Sequence, residues 1–130
     1  MTMSYHLSKK ISVSFKQAIE KVTEELKKEG FGIITSIDLK ETFQKKINQV
    51  FRNYVILGAC NPRYAYETLS AEDKTGVFLP CNVVIQEHEN GDVEVSIVNP
   101  EELMHGVDNL TLKTFATEMK ESMQAVLSRL

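Results

Sequence analysis

Cys81-Asn82-Val83-Val84-Ile85-Gln86-Glu87-His88-Glu89-Asn90-Gly91-Asp92-Val93-Glu94-Val95-Ser96-Ile97-Val98 is the stretch on which the fold turns. Two runs rich in β-branched residues flank an Asn-Gly pair. Asn and Gly tolerate the positive φ that a type I′ turn demands, so the spacing predicts a hairpin with a two-residue loop. In that register Val84 lies opposite Ile97 and Val83 opposite Val98, and both faces are apolar at the end near Cys81. The tip, with Glu87, Glu89, Asp92 and Glu94, is acidic, which keeps it in water and discourages edge pairing. A hairpin commits at least part of the sheet to antiparallel pairing.

Upstream, residues 5–11 read as a short first strand. Ser14 and Gln17 match a capping box, in which each side chain satisfies a free backbone donor. Phe15, Ala18, Ile19, Val22 and Leu26 then form an apolar stripe at helical spacing, and Gly30 supplies a left-handed stop. Phe31 to Ile37 reads as a strand. Asp38 caps a second helix with Glu41 three residues on and a Leu39, Phe43, Ile47 seam. Tyr54 to Cys60 is apolar on both faces, as a central strand should be. Asn61-Pro62 opens a short helix whose inner side is expected to be Ala65, Tyr66 and Leu69, and Val77-Phe78-Leu79 is expected to re-enter the core. Downstream, Asn99-Pro100 repeats the helix start and Gly106 ends that helix. From Asn109 the residues Leu112, Phe115, Ala116, Met119, Met123, Val126, Leu127 and Leu130 follow steps of three and four. The order predicts one α+β domain over residues 1–130, a two-layer sandwich with a mixed or antiparallel sheet and helices packed on one face. The opposite face would then need cover, and a second subunit making a homodimer is the simplest cover.

Composition narrows the functions. The 130 residues are 42% hydrophobic and 25% charged, enough apolar material for one core. A net charge of -3, with the lysine pairs dispersed among acidic and polar neighbours, argues against nucleic acid as a partner. No apolar run approaches the ~18 residues that span a bilayer, so no membrane partner is expected. The segment Met1 to His6 lacks the pattern of a secretory signal, and two cysteines are too few for a disulfide scaffold. These features point to a cytoplasmic protein with reduced thiols.

One constellation stands out. Ala59-Cys60-Asn61-Pro62 ends a strand and opens a helix, and Leu79-Pro80-Cys81-Asn82 opens the next long strand. If those strands are antiparallel neighbours, Cys60 and Cys81 meet at one end of the sheet. A thiol just before a helix N-terminus feels the positive end of the helix dipole. Free cysteines are also good small core residues, and asparagines good caps, so packing and capping are the plainer roles for these positions. No metal is expected: His6, His88 and His105 share no helical ligand spacing, and the cysteines lie 21 positions apart. Neither phosphate-loop glycines nor a nucleophile elbow occurs, and no cofactor is implied.

Glu29-Gly30-Phe31-Gly32-Ile33, Ile37-Asp38, Ile56-Leu57-Gly58-Ala59-Cys60-Asn61-Pro62 and Leu79-Pro80-Cys81-Asn82-Val83-Val84 together resemble the "domain of unknown function 302" family of small bacterial and archaeal proteins. The resemblance runs from about residue 5 to the last helix. It implies a stand-alone α/β domain with paired subunits, brings no activity, and marks Cys60, Asn61, Pro62, Pro80, Cys81 and Asn82 as the site to test.

Three functions fit this reading. The preferred one is a module binding a small molecule or anion beside Cys60–Pro62 and Pro80–Asn82. A thiol-dependent enzyme or redox protein would use the same cysteines. A homodimeric interaction protein would use the free sheet face.

Overall fold

The computed structural model describes residues 4–130 of the chain. The strands are β1 (His6–Ile11), β2 (Gly32–Asp38), β3 (Tyr54–Cys60), β4 (Cys81–Glu87) and β5 (Val93–Val98). The helices are α1 (Phe15–Lys28), α2 (Leu39–Ile47), α3 (Pro62–Ala71), α4 (Pro100–Leu103) and α5 (Leu110–Ser128), with a 3-10 turn over Asp73–Phe78. The five strands form one sheet in the order β1-β5-β4-β3-β2, and every neighbouring pair is antiparallel. Among the described residues no helix is long and apolar enough to cross a membrane. Met1–Met3, part of the segment read above for a signal peptide, lie outside the described residues.

The helix starts are made as the sequence indicates. Ser14 and Gln17 exchange both capping-box bonds, at 3.1 Å each. Asp38 accepts from the Glu41 amide at 3.1 Å, and Asn109 from Leu112 at 3.2 Å. Gly30 stops α1 at φ +83°. One sheet face builds the core. Alternate residues Leu57 and Ala59 of β3, Val83 and Ile85 of β4, and Val95 and Ile97 of β5 are buried under Val22 and Leu26 of α1 and Met123 and Val126 of α5. From the β1 edge, the Lys9 ammonium donates to the Leu127 and Leu130 carbonyls, at 3.1 and 3.0 Å. It thereby caps the C-terminal end of α5, where the helix dipole favours a cation.

Three expectations need correction. The hairpin loop is Glu89-Asn90-Gly91, three residues, with His88 N donating to Asp92 O at 2.8 Å and Gly91 at φ +91°. Val83 therefore pairs with Ile97 and Val84 with Ser96, one residue off the register a two-residue loop gives. Burial decides it: Val83, Ile85, Val95 and Ile97 must all face α1 and α5, and a one-residue slip would turn one strand's set outward. The second correction concerns α3, where Tyr66 is 75% exposed and Leu69 40%. Its inner side is Tyr64, Ala65 and the buried Thr68, because Tyr64 packs against Phe31 and Phe115. Finally, Val77 is 82% exposed on the 3-10 turn, while Phe78 packs on a small second cluster of Met104, Leu112 and Ala116.

Candidate functional site

The register of β3 and β4 puts Cys81 opposite Ala59, so Cys60 lies one residue beyond the partner of Cys81, at the same end of the sheet. Cys60 is half-buried and Cys81 is buried. Asn61 follows, and its side chain is committed on both sides. Oδ1 accepts from the Arg63 and Tyr64 amides at 3.1 and 3.4 Å, and Nδ2 donates to the Glu29 carbonyl at 3.4 Å. One residue thus caps α3 and ties it to the end of α1. Asn99 repeats the device with its own proline. It accepts from Glu101 N at 3.2 Å and donates to the Ser4 carbonyl at 2.9 Å. Pro62 sits in the first turn of α3, where its missing N–H costs nothing. Pro80 follows a cis peptide bond and lies against Gly58.

The space beside these turns is small. Phe31, Cys60, Asn61, Tyr64, Cys81 and Met119 are among the residues around a void of about 10 Å³, room for about one water. Burial, with a smaller contribution from nearby Cys60, pushes the Cys81 thiol up from 9.0 to about 11. The thiol is therefore held neutral, the reverse of the activation a nucleophilic cysteine needs. Below pH 9 Cys81 is protonated whether the chain is folded or not. Between 9 and about 11 the unfolded chain loses the proton first, so this group's contribution to stability is lost as pH rises through that window. Iodoacetamide at neutral pH is expected to leave Cys81 unmodified until urea unfolds the protein. Rapid labelling of the folded chain would refute this.

A concavity larger than this void lies on the other side of the sheet. Asn82 alternates with the buried Cys81 and Val83 and is exposed there. It contributes to a groove of about 480 Å³ whose lining includes Tyr5, His6, Tyr54, Val84 and Glu94. Across β1 and β5 a chain of hydrogen bonds crosses the groove: His6 Nδ1 to Ser8 Oγ at 2.6 Å and Ser8 Oγ to Ser96 Oγ at 2.7 Å. The His6 and Tyr5 rings stand nearly perpendicular, with centroids 4.8 Å apart. Of the six residues singled out in the sequence, Cys60, Asn61 and Cys81 border the small void and Asn82 the groove. Nothing in the local sequence groups His6, Ser8 and Ser96 as one site. His6 and Ser8 share a strand face by their spacing of two, but Ser96 joins them only through the β1–β5 register. Among the described residues, no group of three or more His, Cys, Asp or Glu is placed to hold a metal ion.

The family model described as "Domain of unknown function DUF302" matches residues 7–130. The chain belongs to the DUF302 family. A crystal structure of an uncharacterized conserved DUF302 protein from Bacillus stearothermophilus superposes with a TM-score of 0.91 at 31% sequence identity, over 98% of each chain. No curated protein matches. Membership of DUF302 therefore carries the α+β fold and no activity.

Proposed function

We propose that this DUF302 domain is a binding module for a small hydroxyl-bearing molecule with one apolar side, seated in the groove on the sheet face turned away from α1 and α5. The observation that carries the reading is the groove itself. Its volume of about 480 Å³ falls in the range of ligand sites, whereas the void at the start of α3 holds about 10 Å³. The His6–Ser8–Ser96 chain can be extended by a ligand hydroxyl, since each hydroxyl both donates and accepts. Val84 and Val98 offer an apolar floor, with Tyr5 and Tyr54 as amphipathic rims. Asn82 links this site to the Pro80–Asn82 turn. The neutral, buried Cys81 supports a packing role for the cysteines over thiolate chemistry.

The test is amide NMR of the full chain titrated with hydroxylated aromatics and sugars. Shifts are expected at Ser8, Asn82 and Ser96, and the His6→Ala/Ser8→Ala double variant should bind at least about tenfold more weakly, the worth of roughly one hydrogen bond. Shifts centred on Cys60–Arg63 would move the site to the start of α3. An unchanged affinity in the double variant would refute the groove.

A further inference from the structure

Gln86 of β4 and Glu94 of β5 stand directly opposite each other, next on their face of the sheet to the Val84–Ser96 pair, and both border the groove. Each is held by one neighbour. Arg52 Nε donates to Gln86 Oε1 at 3.0 Å, and His88 Nε2 meets Glu94 Oε1 at 3.0 Å. The chemistry of those neighbours settles which atoms remain. A guanidinium has only donors, so the Gln86 atom facing it is the oxygen, and the amide NH2 is left over. A carboxylate has only acceptors, so His88 supplies the proton and Glu94 keeps a second oxygen. Among the described residues, neither Gln86 Nε2 nor Glu94 Oε2 bonds another group. One donor and one acceptor are thus left side by side across the β4–β5 pair.

Arg52 is itself fixed. Its guanidinium carbon lies 4.5 Å from the centre of the Phe51 ring and 5.7 Å from that of Tyr54. Phe51 in turn meets Phe43 of α2 nearly at right angles, with centroids 5.1 Å apart. Such cation–π contacts hold a guanidinium in place. The Gln86 amide is therefore oriented before a ligand arrives, which removes part of the cost of ordering it. Tyr54 is the cross-strand partner of Gln86 on β3, and it too borders the groove.

From this arrangement we infer that the molecule in the groove carries an amide edge, a C=O beside an N–H as in a ring lactam, read by Gln86 as donor and Glu94 as acceptor. The inference rests on the groove reading and deepens it. The hydroxyl end of the ligand lies on Ser8 and Ser96, and the amide end lies two residues along β5, about 6.6 Å away. One ring with its substituents fills that gap, beside the Tyr54 ring. A ligand carboxylate would set acceptor against acceptor at Glu94. An alkylated nitrogen would leave Glu94 facing a methyl group, and a site built to pair an N–H rejects the analogue that lacks it. Arg52 is a positioning residue here, because it reaches the ligand only through Gln86.

Uridine and 3-methyluridine test the inference, titrated into the full chain and followed by NMR. They share every sugar hydroxyl and differ at the ring N–H, which in uridine lies between two carbonyls, so either orientation presents the edge. Phenyl β-D-glucoside, with hydroxyls and an apolar ring but no amide, is the control for the groove. Uridine is expected to bind at least about tenfold more tightly than 3-methyluridine, shifting the Gln86 side-chain NH2 as well as Ser8 and Ser96. Gln86→Glu and Arg52→Met are each expected to bring that ratio to within about twofold of one, a loss of selectivity that a merely structural role would not produce. Where a variant fails to fold, the ratio in the native chain decides. Equal affinities for the two nucleosides, with Ser8 and Ser96 shifted by both and by the glucoside, would overturn the amide edge and leave the groove standing. Absence of shifts at Ser8 and Ser96 with all three probes would overturn both readings, and an unchanged ratio in Gln86→Glu would remove Gln86 from the site.

Discussion

Phe31→Ala is expected to cost about 3–5 kcal/mol of unfolding free energy, the range for deleting a large buried aromatic ring. Phe31 is 1% exposed, among the largest fully buried side chains. It follows Gly30 directly, and its amide donates to the Leu26 carbonyl at 2.9 Å, so the turn that ends α1 drives the ring inward. There it packs 6.4 Å from the Tyr64 ring, centroid to centroid, and forms part of the wall of the small void beside Cys60 and Asn61. Removing the ring enlarges that void into an apolar cavity. Urea denaturation should show a lower midpoint at unchanged slope, and benzene should recover part of the loss by filling the space. A loss below about 1 kcal/mol would mean the region collapses freely and that α3 is not held by this contact.

Gly58→Ala is expected to cost about 1–3 kcal/mol or more, as overpacking does. A Cβ built on Gly58 would collide with Thr35 Oγ1 and stand 2.7 Å from Pro80 Cγ. The sheet is therefore closed over at that point: Thr35 of β2, paired with Gly58, and Pro80, leading into β4, occupy the space a side chain would take. Thr35→Ala removes the nearer atom but not the proline, so the Thr35→Ala/Gly58→Ala double variant should recover part of the loss and no more. The comparison is a thermal melt of all three variants, and additive losses in the double variant would refute the shared-space account.

The contrast between these two residues shows how sequence and structure divided the work. A glycine inside an apolar strand is a signal of close backbone approach, yet nothing local says which atoms approach. Thr35 and Pro80 are distant along the chain and reach Gly58 only after β2 and β4 pair on either side of β3. The Asn-Pro turns behaved differently. Asn61 and Asn99 were legible as caps because a cap bonds amides two and three residues away. Their second bonds, to Glu29 and Ser4, are long-range and were not legible.

What the sequence determined by itself was everything set by near neighbours. That comprises the capping box at Ser14, the stop at Gly30, the caps at Asp38 and Asn61, and the stripes of α1 and α5. The hairpin, and with it the α+β class, belongs here too. Only tertiary packing decided the loop length and register of β4 and β5, because a two-residue and a three-residue loop are both open to Asn-Gly until one face must be buried. Packing likewise decided that Tyr64 and not Tyr66 turns inward. It also decided that the turns around Cys60 and Cys81 enclose almost no space while the opposite sheet face holds a groove. Cavities are properties of the gaps between elements, and no residue carries a gap in its own local preferences.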